Sequence, residues 1–295
     1  MHERRIYSFL TLILTAIIFV CGLPAFSQQM PSKAKSMAMP DMAALLEKLR
    51  ANQDKIEAIE KNYICTKTDD QFELDKSGKK KDEEIRQYDF YYDGDIPVQR
   101  LVAKDGKPLS ESEQKKEDER VKKSVAKAKE REAKNEEDSG KRQVTLGIAT
   151  FLKVSELSNA RKEQYKGHEV LAVDFAPNPT YKPKNRNEDI AHKISGTLWI
   201  DEEALQVVKL EAKLVQGMKI WGGLLASIKP GSSLVFEQER VNNEIWLPSG
   251  YVIDFSARIL FSGKRGEVIG TYTNYRKFRV DTVIKPVEAP TEPKP

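Results

Sequence analysis

The sequence has few of the residues that build cysteine-stapled folds or metal cages. Its 295 residues include only two cysteines and three histidines. These numbers exclude a disulfide-rich scaffold and leave few ligands for zinc. The 49 basic residues nearly balance the 45 acidic ones, so the formal net charge is only +4. A small charge spread over both signs argues against the concentrated basic face that nucleic-acid-binding proteins carry.

Catalytic signatures are missing as well. The chain contains no Gly-x-Ser-x-Gly elbow, no His-Glu-x-x-His helix, no glycine-rich phosphate loop and no Cys-x-x-Cys pair. His168 and His192 have no evident shared carboxylate, so we interpret them as surface residues and not as metal ligands. Asp201, Glu202 and Glu203 form an acidic cluster, but their position between two predicted strands is typical of a turn. We therefore expect a non-enzymatic protein without metal or cofactor.

The first 27 residues are typical of a secretory signal peptide. Arg4 and Arg5 precede an apolar run over residues 6–20, and Ala25-Phe26-Ser27 places small residues where a signal peptidase reads them. The mature chain is then expected to begin near Gln28 and to reside in the periplasm. Residues 28–40 are polar and contain two prolines, which indicates a linker.

Two alternatives to cleavage remain open at this end of the chain. Residues 6–23 approach the length of a membrane span, so the segment could serve as a retained anchor. Lipidation of Cys21 is disfavoured because the preceding Val20 is branched where a small residue is expected. If Cys21 leaves with the signal, Cys65 is the only remaining thiol, and we interpret it as a small buried residue in a strand.

The mature chain begins with an amphipathic helix and continues as strands. Asp41 is a plausible N-cap, and apolar residues recur at helical spacing over residues 41–60. Period-two alternation then predicts an antiparallel meander over residues 63–74, 84–92 and 97–104, joined by Asp/Gly-rich turns. Further strands are predicted in this order: 164–175, 194–200, 205–214, 232–241, 244–247, 251–261 and 267–280.

Four other segments interrupt this strand pattern. Residues 110–142 are dense in charges of both signs and poor in apolar residues, which predicts an exposed helical insertion between strands. Residues 143–160 have the spacing of a second, shorter helix, and residues 176–192 contain three prolines and are predicted to form a loop. The proline-rich tail, residues 285–295, is predicted to be disordered. Residues 41–284 would then form one domain.

The alternation over residues 251–261 predicts a strand with one buried and one mostly solvated face. About nine such strands with two covering helices predict a strongly curved antiparallel sheet that does not fully close into a barrel. The inward side chains could simply pack against one another and the helices. The other interpretation is that a sheet of this size leaves an apolar cavity.

A hairpin in the middle of the chain resembles a known family. The stretch Ser195-Gly196-Thr197-Leu198-Trp199-Ile200-Asp201, followed by a polar turn and Val207-Val208-Lys209-Leu210-Glu211, resembles the hairpin of LolA-like periplasmic proteins, the outer-membrane lipoprotein-sorting proteins and their relatives. The resemblance is best over residues 164–278. It implies an α+β fold with a curved antiparallel sheet, an unclosed β-barrel capped by helices, whose interior takes acyl chains.

The resulting hypothesis is a carrier that binds lipid acyl chains or lipoproteins in an apolar half-barrel and has transient membrane contact. Two sets of apolar residues are the candidates. The cavity candidates are Trp199, Leu198, Ile253, Phe255, Ile259 and Phe261. The candidates for a glycine-flanked lid are Met218, Trp221, Leu224 and Leu225. The alternative hypothesis is an envelope sensor or adaptor that binds a protein partner through the charged segment, and an envelope hydrolase is a third.

Overall fold

The computed structural model describes residues 41–133, 148–220, 226–259 and 262–278. The predicted signal peptide, linker and proline-rich tail lie outside these residues. No helix within the described ranges combines the length and the apolar character needed to cross a bilayer.

The described residues form a mainly antiparallel structure with a few helices. The helices are α1 (Met42–Glu60), α2 (Glu111–Ala133), α3 (Ile148–Val154) and α4 (Arg186–Ala191). The first strands are β1 (Tyr63–Leu74), β2 (Lys80–Asp93), β3 (Ile96–Lys104), β4 (Lys107–Pro108), β5 (Ser155–Tyr165) and β6 (His168–Pro177). The others are β7 (Ile194–Asp201), β8 (Gln206–Leu214), β9 (Met218–Ile220), β10 (Ala226–Ile228), β11 (Ser233–Val241), β12 (Ile245–Ile259) and β13 (Ser262–Lys277).

All of these strands belong to one sheet with the order β4-β3-β2-β1-β13-β12-β11-β8-β7-β6-β5, and the short β9–β10 hairpin joins it through β12. The sheet is not closed, because in the described part of the chain β4 and β5 end the order without pairing with each other. The predicted fold class, an unclosed antiparallel barrel with helices, is confirmed.

One face of the sheet, which we call the inner face, carries the main hydrophobic core. Its buried side chains come from strands along most of the order, with Cys65 on β1, Leu171 on β6 and Phe255 on β12. Helices α1, α3 and α4 contribute Leu45, Leu49, Phe151, Val154 and Ala191 to the same cluster. The predicted interpretation of Cys65 as a buried strand residue is confirmed.

The predicted N-terminal helix and meander are confirmed. Local signals in the sequence fix where these elements end. Asp41 caps α1, with its side chain accepting a hydrogen bond from Ala44 N at 3.1 Å. In the β1–β2 turn, Asp75 Oδ1 accepts from the amides of Ser77 and Lys79. Gly78 completes this turn with a φ of 83°, a value that favours glycine.

The predicted helix over residues 143–160 is wrong at its C-terminal end. Helix α3 stops at Val154, and residues 155–160 belong to β5. Leu157 and Ala160 both pack in the inner-face core although they are three residues apart. A bulge between Ser158 and Arg161, with Asn159 at a φ of 54°, shifts the alternation there. The bulge therefore produces a spacing that imitates a helix.

Three other boundaries differ from the prediction. The strand predicted over 164–175 is split by the tight turn at Lys166 and Gly167, both at positive φ, so that β5 and β6 form a hairpin. The loop predicted over 176–192 contains α4, which begins after the N-cap Asn185. The strands predicted over 244–247 and 251–261 form one strand, β12, because a register shift opposite Glu237 and Gln238 accommodates Pro248.

Candidate functional site

The inner face between β6 and β12, which we call the aliphatic region, is lined mainly by Leu, Ile, Val and Ala with Phe175, Phe236 and Phe255 among them, and it carries most of the predicted cavity residues. Leu198, Ile253 and Phe255 are buried in the core cluster, and Ile259 is partly exposed and packs against it. Phe261 lies outside the described residues. Strand β8 lies so close to β7 that a Cβ on Gly196 would fall 1.9 Å from the carbonyl oxygen of Glu211. The glycine of the quoted hairpin is therefore required by this close approach.

Trp199 lies on the opposite face from Leu198, as the alternation along β7 requires. It belongs to a separate outer-face cluster with Val170, Ala172, Val208 and Trp246. Its indole Nε1 donates to Glu163 Oε2 at 2.7 Å, and the ammonium group of Lys209 lies 4.5 Å from its ring centroid. The structure thus does not bring Trp199 together with the other predicted cavity residues.

The acidic turn supports this outer cluster. Asp201 is buried, accepts from the amides of Glu203 and Ala204, and accepts from Trp246 Nε1 at 2.8 Å. The predicted interpretation as turn residues is therefore confirmed. His168 is half-buried, and its ring lies 5.1 Å from that of Trp246. No group of three or more His, Cys, Asp or Glu side chains suited to a metal ion occurs among the described residues.

A set of apolar side chains, which we call the apolar rim, lies beside the β9–β10 hairpin at one end of the aliphatic region. Ile194, Met218, Leu234 and Ile259 are partly exposed there and pack against buried apolar clusters. The hairpin itself is tied to the sheet by pairing between Ile228 and Ala257. Of the predicted lid residues, Met218 is described, whereas Trp221, Leu224 and Leu225 lie outside the described residues.

The inner face at β1 also carries a buried polar network, which no pattern in the sequence predicted. Lys67 and Asp69 are 1% and 3% exposed and form an ion pair at 2.7 Å. Tyr251 Oη donates to Asp69 Oδ1 at 2.6 Å, and the Lys67 ammonium lies 5.6 Å and 5.4 Å from the ring centroids of Tyr88 and Tyr251. A Cβ on Gly270 would lie 2.2 Å from the Tyr251 ring, so this glycine makes room for the network.

A second polar contact, which is partly buried, joins the end of α1 to β2. Tyr92 Oη donates to Glu60 Oε1 at 3.1 Å. Burial raises the pKa of Glu60 to about 7, and it raises the pKa of the nearby Cys65 thiol to about 12. Glu60 can therefore change its charge near neutral pH, whereas Cys65 stays protonated.

The charged segment forms the predicted exposed helix in its described part, and this helix is docked on the sheet. Helix α2 packs on the end of the sheet at β3, where Arg100 Nε donates to Asp118 Oδ1 at 2.8 Å. A groove of about 490 Å³ remains between α2 and the sheet, lined by Tyr91, Val121 and Val125 together with charged side chains. Residues 134–142 lie outside the described residues.

Comparisons with known proteins give structural matches alone, since no family model and no curated protein matches the sequence. An outer membrane lipoprotein-sorting protein domain from Vibrio parahaemolyticus is 12% identical; the match covers 81% of this chain and 95% of that domain, with a TM-score of 0.27. A DUF1329 family protein from Desulfovibrio piger is 10% identical over 84% and 96% of the two chains, with a TM-score of 0.29. A chain in the structure of the MucA/MucB complex from Pseudomonas aeruginosa matches at 8% identity. The match covers 79% of this chain and 100% of that chain, with a TM-score of 0.22.

The open antiparallel sheet with helices is established by the structure itself and not by these matches. At this level of identity and superposition they carry nothing about ligands or partners. The chemistry of the chain's own inner face is therefore the guide to its ligand.

Proposed function

We propose that the protein is a periplasmic carrier that holds acyl chains of a lipid or lipoprotein against the aliphatic region of its inner face. The observation that carries the proposal is the apolar rim, Ile194, Met218, Leu234 and Ile259, which continues the buried core into solvent. Single exposed apolar residues are ordinary on a protein surface, whereas several that adjoin one core offer a continuous surface to a ligand.

The solvent chemistry favours this ligand. An acyl chain exposes methylene groups to water, and burial of each one contributes about 0.8 kcal/mol. Binding of this kind needs no covalent step and no catalytic side chain. The polar network at Lys67 and Asp69 already satisfies its own charges, so we assign acyl contact to the aliphatic region.

Leu234→Asn tests the proposal, and a substitution at the next residue of the same strand serves as its control. Leu234 belongs to the rim, while Val235 is also half-buried and lies on the outer face opposite Val252. We expect Leu234→Asn to weaken binding of a fluorescent fatty acid about tenfold, because a polar amide replaces apolar contact at the site. Val235→Asn, the matched control, should change the affinity less than about twofold.

Native mass spectrometry of protein purified from its own envelope provides a second measurement. We expect a co-purifying lipid in the wild-type protein. Absence of lipid, together with no uptake of the fluorescent fatty acid, would overturn the carrier proposal.

A further inference from the structure

Helix α2 takes the place of a neighbouring strand at the β3 edge. Glu117 Oε1 accepts a hydrogen bond from Leu101 N at 2.8 Å, and Arg120 Nη2 donates to Gln99 O at 2.7 Å. In a sheet, a carbonyl oxygen and an amide of the next strand would make these two bonds. One turn of helix therefore supplies both the acceptor and the donor that the outward side of β3 requires.

The two side chains act as one unit. Arg120 donates to Glu117 through Nε and Nη2 at 2.7 Å and 2.6 Å, which fixes both groups over the strand. Within residues 111–130, Glu117 is the only buried side chain. The groove beside Val121 and Val125 remains open. Attachment of α2 to the sheet thus depends on polar contacts at the β3 edge more than on a shared apolar core.

An uncovered strand edge pairs readily with another strand, and proteins prevent this with charges, short strands or covering elements. On β3, the two-residue strand β4 covers Ala103 and Lys104. Glu117 and Arg120 cover the adjoining stretch at Gln99 and Leu101. Without α2, the stretch from Ile96 to Leu101 would present its outward amides and carbonyls to any extended chain.

We propose that α2 is a removable cap on the β3 edge, and that the uncapped edge pairs antiparallel with β3 of a second copy of this chain. Centring the pair on Gln99 keeps it clear of β4. This register also places Arg100 opposite Val98 of the second copy, which avoids juxtaposing two arginines. Pro97 has no amide, but its carbonyl can accept from Leu101 of the second copy.

The test compares two double variants of α2 in the full chain. Glu117→Ala/Arg120→Ala removes the cap, and Glu119→Ala/Lys123→Ala removes an exposed ion pair on the same helix. Sedimentation velocity over a concentration series should show the wild type and the control as monomers. The uncapped variant should dimerise with a dissociation constant at least about tenfold below the lower limit that the monomeric control sets. A monomeric uncapped variant over the same range would overturn self-pairing.

Hydrogen exchange at the Leu101 amide tests the cap itself. At monomeric concentrations the uncapped variant should exchange this amide at least about tenfold faster than the control. Unchanged exchange protection of this amide would overturn the proposal that α2 caps the β3 edge. Gln99→Pro, added to the uncapped variant, removes the central outward amide and should abolish the dimer. A dimer that persists would overturn the proposed register.

A smaller change covers the case in which the uncapped variant does not fold. Arg120→Ala removes the donor to Gln99 O and the ion pair with Glu117, but keeps the Glu117 carboxylate that accepts from Leu101 N. It should shift the monomer–dimer equilibrium in the same direction by a smaller factor. A folded Arg120→Ala protein that is as monomeric as the control would count against the proposal.

Discussion

The two regions of the inner face are equally buried and chemically different. Between β6 and β12 the core consists of side chains such as Leu171, Leu198 and Ile200, which interact without directional bonds. At β1 the same face carries Lys67 and Asp69, with every charge matched by a partner. The comparison teaches that burial tolerates charge when a network is complete, and that the two regions should respond differently to substitution.

The largest effect is expected at the polar region. Lys67→Met removes one member of a fully buried pair and leaves the Asp69 carboxylate without its counter-ion, which should lower the free energy of unfolding by about 3–5 kcal/mol. Chemical denaturation measures this loss. Lys67→Met/Asp69→Asn should be more stable than Lys67→Met, because a neutral amide still accepts from Tyr251. If Lys67→Met lowered the free energy of unfolding by less than about 1 kcal/mol, the burial of this ion pair would be contradicted.

A shape-dependent response is expected at the aliphatic region. Leu198→Ala should cost about 3 kcal/mol because it leaves a cavity in a close-packed core. Leu198→Met, with nearly the same volume, should cost less than about 1.5 kcal/mol. Thermal and urea unfolding of both variants check this difference. Equal costs would mean that the aliphatic region is no more closely packed than the surface.

The smallest effect concerns Glu60 and depends on pH. Because its pKa is raised from an ordinary value of 4.5 to about 7, the folded protein binds this proton more tightly than the unfolded chain does. Its contribution therefore makes the wild type more stable as pH falls from about 7 towards 4.5, and less stable as pH rises. Glu60→Gln should remove this pH dependence. The contribution that it removes from the free energy of unfolding is about 1–2 kcal/mol after allowance for partial solvent screening.

Unfolding free energies at pH 5 and pH 8 check this sign, with the Glu60→Gln protein as reference. The variant retains an oxygen that can accept from Tyr92 Oη, so the difference between the two proteins isolates the charge. A wild type that gains stability relative to the variant as pH rises would contradict the raised pKa.

Much of the fold could be predicted because its signals are local. The β7–β8 hairpin and the β1–β2 turn follow from alternation and from turn residues such as Asp75 and Gly78. The end of α3 could not be predicted, because the bulge at Asn159 gives a strand the spacing of a helix. Short α4 was missed since three prolines precede it, although Asn185 is a recognisable N-cap.

The site was predicted less completely for a physical reason. Alternation along β7 separates Leu198 from Trp199, and a stricter use of that period would have placed the tryptophan outside the cavity set. Lys67 and Asp69 look like solvated strand residues, and their burial depends on Tyr88, opposite Lys67 on β2, and on Tyr251 from the distant strand β12. Long-range contacts of this kind have no local signal in the sequence.

The protonated Cys65 thiol gives the molecule an internal reporter of opening. With a pKa of about 12, about one thiol in ten thousand is ionised at pH 8, and alkylating reagents attack the ionised form. Labelling of Cys65 therefore has to wait until β1 separates from the strands around it. The rate at which a reagent modifies this sulfur would report how often the sheet opens transiently at β1. Such openings leave the average structure unchanged.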